Sequence, residues 1–208
     1  LLHCPPTDLY KESRVFDIMD QLVIEGKIKH YGVSVEKVEE AMMAMNHQGV
    51  EAIEIIFNMF RLKPAQEFFA MAKEKNVGVI VRVPLASGLL TGKYHEKTIF
   101  NANDHRTFNR NGEAFDKGET FSGVDYQLGI KAVSELKKLF RTKDLAPYAL
   151  RWILMFDAVS TVIPGASRSE QVYWNAQAAK LPPLSKKQMN GVEAIYEKYI
   201  KPTVHHLW

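Results

Sequence analysis

Two glycine-bearing stretches, "PLASGLLTGKY" (84–94) and "IPGASRS" (163–169), carry the residue types that can cradle a phosphate. In the second, Gly165 allows a tight turn, and a helix starting near Ser167 and Arg168 offers free N–H groups to an anion. Arg168 adds a planar guanidinium that matches phosphate oxygens, although a plain helix cap with a solvated arginine reads equally from these letters. Arg82, inside "VIVRVP", is a charge in an apolar run and needs a partner. A buried ion pair or a stacked guanidinium would each serve. His3 ends the apolar run "LLHCP" (1–5), either as a satisfied core residue or as a group at a site mouth. Metal chemistry finds no support, because the seven histidines lack ligand spacing and His205–His206 read as surface residues. No Ser–His–Asp or Cys–His arrangement stands out, and Cys4 beside Pro5 reads as structural.

These residues need elements to place them. β-rich runs occur at 1–5, 28–34, 52–58, 77–84 and 159–164. Between them, apolar residues recur at helical spacing: Val15, Phe16, Met19, Leu22 and Val23; then Val35, Val38, Met42 and Met45; then Ala65, Phe68, Phe69 and Ala72. Gly26 and Asn76–Gly78 supply stop signals, and Pro64 suits a first helical turn. Strands alternating with helices imply βαβ units and a parallel sheet with its site at the strands' C-terminal ends. No GxGxxG follows a strand, so the doubly wound dinucleotide fold lacks its fingerprint. The glycines sit after the last two strands instead, where a (β/α)8 barrel keeps its phosphate loops. Only five strands are read, against the eight of a full barrel of about 250 residues.

Composition bounds the rest. The chain has 208 residues, 46% hydrophobic and 25% charged, which suits one domain over 1–208. A net charge of +3 is too mild to argue for nucleic acid. With one cysteine no internal disulfide forms, and a reducing, cytoplasmic setting is expected. No apolar run is long enough to span a membrane, and no signal peptide is read at the start.

"LLHCPPTDLY", "GKIKHYGVS", "EIIFNMF", "RVPLASGLLTGKY", "ALRWIL" and "STVIPGASRSEQV" follow one another as in the aldo-keto reductase family, and together the chain resembles that family along its length. The resemblance implies a TIM barrel present as strands 4 to 8 with their helices, the first three strands lying outside this chain. It implies hydride transfer from NADP(H) to a small aldehyde or ketone. The family's proton donor is a tyrosine tuned by a lysine and an aspartate, since a phenol near pKa 10 needs a neighbouring cation. A histidine places the carbonyl. Only that histidine, His3, falls in the matching region. Tyr10, Tyr31 and Tyr94 do not match the tyrosine motif.

The resemblance also assigns the cofactor side. The long stretch 85–122 corresponds to the loop covering the pyrophosphate, where Leu85, Ser87, Leu89 and Gly92 give close contacts and Lys93 a charge. Arg82 stands where many relatives stack an aromatic on the nicotinamide. Gly165, Ser167, Arg168 and Gln171 would surround the 2′-phosphate, and Asn175 the adenine. Ser34 is followed by Val35, not asparagine, and Glu54 replaces a glutamine that holds the carboxamide. An ionised glutamate accepts hydrogen bonds but donates none. Trp174 replaces an acidic residue at the adenine rim.

Three functions are therefore weighed: a carbonyl reductase, with this chain alone poorly active; a non-catalytic dinucleotide-binding or interaction module; and an unrelated barrel enzyme with a phosphorylated substrate. Self-association, or pairing with a complementary fragment through open sheet edges, is also expected.

Overall fold

Val33, Val35, Ile53, Ile55, Val79 and Val81 recur at every second position along three strands, and all six are fully buried, whereas Glu54 and Ile80 between them are only half-buried. That period of two decides which sheet face the helices cover. Each such side chain contributes about 1.5–3 kcal/mol when buried, so the pattern fixes the face firmly. A computed structural model describes residues 1–208. In it β1 (Leu2–His3), β2 (Tyr31–Val35), β3 (Val50–Ile56), β4 (Gly78–Arg82) and β5 (Val159–Val162) form one parallel sheet in chain order. The order never reverses, so there is no switch point of the doubly wound kind, and the winding is that of a barrel wall. β1 and β5 each pair with a single neighbour.

The helices are α1 (Ser13–Ile24), α2 (Val38–Ala44), α3 (Lys63–Glu67), α4 (Phe69–Glu74), α5 (His105–Phe108), α6 (Tyr126–Phe140), α7 (Ala146–Ile153), α8 (Ser169–Gln177), α9 (Lys186–Tyr199) and α10 (Lys201–Val204). Phe57, at the end of β3, stacks on Trp152 of α7 at 5.0 Å and meets Phe69 of α4 edge-on at 4.8 Å. This aromatic knot sets α7 against the strand ends. The opposite sheet face carries one lateral row, His3–Ser34–Glu54–Ile80–Thr161, by the strand register. No helix of the chain is long and apolar enough to cross a membrane.

Local signals explain most boundaries. Gly26 (φ 69°) and Asn76 (φ 56°) take left-handed conformations just past α1 and α4, as helix ends favour. Pro64 lies in the first turn of α3. Two expectations need correcting. Val35 belongs to β2, not to the following helix. The helical stripe from Ala65 to Ala72 breaks at Phe68 into α3 and α4, because Phe68 leaves regular helical geometry (φ −109°) while fully buried. The stretch 85–122 holds 3-10 turns at Ala86–Thr91, Lys117–Glu119 and Phe121–Gly123 besides α5.

Candidate active site

Because the strands are parallel, their following loops share one rim. Cys4, Val83, Ala86, Ser87, Phe121 and Ser122 on that rim all have positive φ. For the β-branched Val83, at φ 50°, such a conformation is costly and needs surrounding bonds to hold it. Asn58, just past β3, supplies them: its amide donates to the Val83 carbonyl at 2.9 Å and to Ser122 Oγ at 2.8 Å. Ser87 Oγ donates to the Glu119 carbonyl at 2.8 Å and accepts from the Phe121 N–H at 3.1 Å. The long loop is thus pinned at both ends.

On the sheet itself, His3 is exposed and Ser34, its register partner on β2, is buried. The Cys4 thiol, pushed up to about 11 mainly by burial, donates to Glu36 Oε1 at 3.3 Å, so it is no ready nucleophile. Glu54 is half-buried in the same row. Arg82 is buried: its guanidinium pairs with Glu36 at 2.9 Å, contacts Glu119, and donates to the Val35 carbonyl at 3.1 Å. Of the two readings of a charge at this position, the ion pair is the arrangement present. Burial works to lower the Arg82 pKa, and the two carboxylates outweigh it and raise it. Burial holds Glu36 above the usual carboxylate range despite Arg82. Arg61, also buried, is lowered to about 10 by burial, and it stacks on the Trp208 ring at 4.1 Å.

The loop after β4 and the loop after β5 enclose a cavity of about 600 Å³, a size usual for small-molecule sites. From the first loop come Leu85, Ser87 and Lys93; from the second, Gly165, Ser167, Gln171 and Asn175. α7 supplies a third wall through Ala146, Pro147 and Leu150. The remaining expected residues lie elsewhere. Leu89 is buried in the core, Gly92 is buried with its carbonyl accepting from Lys137 Nζ at 2.9 Å, and Arg168 caps α8 on the exposed surface. His3, Ser34, Glu54 and Arg82 sit at the sheet end outside this cavity.

Gly165 does not have the left-handed backbone expected of a tight turn, and a Cβ there would meet nothing within 4 Å. Its bare backbone borders open space that a ligand could approach. The Ser167 N–H already bonds Gln171 Oε1 at 2.7 Å, so an anion would have to displace that side chain. Sequence reasoning missed Tyr94, His105, Arg106, Glu119 and Asp144, which also line the cavity, as does Trp174. Arg106 Nε donates to Asp104 Oδ1 at 2.8 Å, and its guanidinium contacts the Tyr94 hydroxyl. The Arg106 hydrogen bond lowers the Asp104 pKa to about 2. Lys93 and Arg106, with free backbone at Gly165, form a donor set that fits a phosphorylated dinucleotide. The signal for Arg106 was present as "NDHR", a helix-capping Asp followed by a basic residue.

Known proteins resemble the chain in sequence and in fold. A sequence model described as "Aldo/keto reductase family" matches residues 1–197. Aldo-keto reductase str7 of Strobilurus tenacellus is 28% identical over 185 residues, 86% of this chain and 52% of that protein. L-glyceraldehyde 3-phosphate reductase of Escherichia coli (strain K12) is 32% identical over 121 residues, 58% of this chain and 34% of its own length. The glycerol dehydrogenase AKR11B4 from Gluconobacter oxydans superimposes with a TM-score of 0.71 at 24% identity, covering 95% of this chain and 57% of that one. The chain thus spans about half the length of the first curated relatives it matches (52% and 55%).

Proposed function

The chain belongs to the aldo/keto reductase family, and from that premise we propose that its polypeptide is an NADP(H)-dependent reductase of aldehydes or ketones. The observation that carries the reading is the convergence of two loops, about 80 residues apart in sequence, on one cavity with basic side chains and bare backbone. When bound, the nicotinamide cofactor supplies the hydride. The residues of this chain do the holding. Lys93 and Arg106 offer charge to the pyrophosphate, Ser167 and the α8 N-terminus offer N–H groups, and Asn175 faces the base. Arg168, exposed where α8 begins, meets the 2′-phosphate from outside the cavity. Ser34 and Glu54 hold the carboxamide, and His3, on the same row of the sheet, orients the carbonyl. The names of two relatives, a reductase of L-glyceraldehyde 3-phosphate and a glycerol dehydrogenase, support a small carbonyl substrate.

One observation favours a non-catalytic reading of the 208 residues taken alone. Burial, with the Glu40 and Glu36 carboxylates nearby, pushes the Tyr10 hydroxyl pKa up. That is opposite to what a proton donor needs. This chain by itself is therefore expected to bind NADPH weakly and to turn over negligibly. NADPH fluorescence titration tests the binding, and absence of saturable binding refutes the cofactor assignment. NADPH oxidation with 4-nitrobenzaldehyde tests the chemistry. Robust turnover by the 208-residue chain, abolished by His3→Ala, would show that it carries its own acid.

A further inference from the structure

Trp152 and Trp208 are 2% and 5% exposed, whereas Trp174, the remaining tryptophan, is 53% exposed. Its place on α8 makes this exposure informative. Gln171, Trp174 and Asn175 follow the i, i+3, i+4 spacing of one helix face, and all three line the cavity. Val172 and Tyr173 lie on the outward side of the same helix. Trp174 therefore faces the molecule, and its indole is open because the cavity lies against it. Ala146, Pro147 and Leu150 of α7 line the same cavity and give it apolar surface. An exposed indole bordering a cavity with apolar walls offers its face to a planar ring.

Resting on the cofactor reading above, we propose that Trp174 is a stacking platform for the purine of the bound dinucleotide, so that the site reads the ring face more than its edge. The neighbouring Asn175 amide can donate or accept, and so can meet either an amino or a carbonyl group at the purine edge. Indole contributes no acceptor with which to demand an amino group. Adenine and hypoxanthine dinucleotides should bind alike.

The test uses the full chain. NADPH should quench the tryptophan emission saturably, and Trp174→Phe should remove that response while calorimetry finds NADPH affinity within about twofold, since a phenyl ring still stacks. Trp174→Ala should weaken NADPH about tenfold, as loss of one base–aromatic stack does. The hypoxanthine analogue of NADPH should bind the unaltered chain within about twofold of NADPH. Unchanged NADPH affinity in Trp174→Ala overturns the stacking role and leaves the cofactor reading standing. A hypoxanthine analogue about tenfold weaker overturns the face-reading claim. No calorimetric NADPH binding to the unaltered chain overturns both.

Discussion

Asp104 carries two duties that a single substitution can separate. Its carboxylate caps α5 by accepting from the Arg106 N–H, and it pairs with the Arg106 guanidinium that lines the cavity. Asp104→Asn keeps the cap, since asparagine and aspartate are equivalent there, and removes only the charge. The folded pKa of about 2 lies below the ordinary aspartate value of 3.8. A depressed acid adds stability that is present above the unfolded value and fades as pH falls through the folded one. Asp104→Asn should thus cost about 1 kcal/mol near neutral pH, an exposed-pair magnitude. The gap to the parent should close between about pH 4 and 2 in urea denaturation. A gap independent of pH would mean that charge is irrelevant there. Arg168 poses the cofactor question. If its guanidinium meets the 2′-phosphate, Arg168→Ala should erase most of any NADPH-over-NADH preference, about 1.5–3 kcal/mol for one charged hydrogen bond. Equal affinities for the two cofactors in the unaltered chain would remove the assignment.

At the scale of elements, two glycines separate folding from binding. A Cβ at Gly32 on β2 would run into the Ala52 carbonyl of β3. Gly32→Ala should therefore cost about 1–3 kcal/mol by overpacking, read as a lowered Tm. Gly165→Ala should leave Tm unchanged, having neither special φ nor a neighbour, yet weaken NADPH where backbone and ligand must approach. If Tm falls and affinity holds, the loop after β5 is structural only. The same contrast shows what the letters could reveal. Short apolar runs disclosed all five strands, and Gly26, Asn76 and Pro64 marked helix ends, because those signals are local. The break at Phe68 was illegible, since the burial of that ring is a tertiary fact. The site divided likewise. Gly165, Ser167, Gln171 and Asn175, assigned by the resemblance within one contiguous motif, line the cavity. Tyr94, His105 and Arg106 reach the cavity only through the course of the long loop, which no periodicity encodes. Leu89 was expected to approach the cofactor and lies in the core, packed where a Cβ at Gly129 would go.

For the molecule as a whole, the sheet has two free flanks. β1 and β5 each leave one side without a partner strand, and Ile163, just past β5, adds exposed apolar surface there. Such edges template pairing with another chain. The 208-residue chain should self-associate or capture a complementary fragment. Sedimentation velocity checks this, and a single monomeric boundary with cooperative unfolding would refute it. A different property follows from Ser87, whose hydroxyl grips both Glu119 and Phe121. With that clasp closed, residues 88–118 form a handle whose two ends leave the rim at one place. The sheet does not register how long the handle is, because doubling a flexible loop costs only about 0.6 kcal/mol. Everything the handle shows to a ligand, His105 and Arg106 included, is therefore exchangeable cargo. Descent or engineering could rewrite what this pocket selects by swapping the part of the handle beyond its buried Leu89–Leu90 root, leaving every strand as it stands.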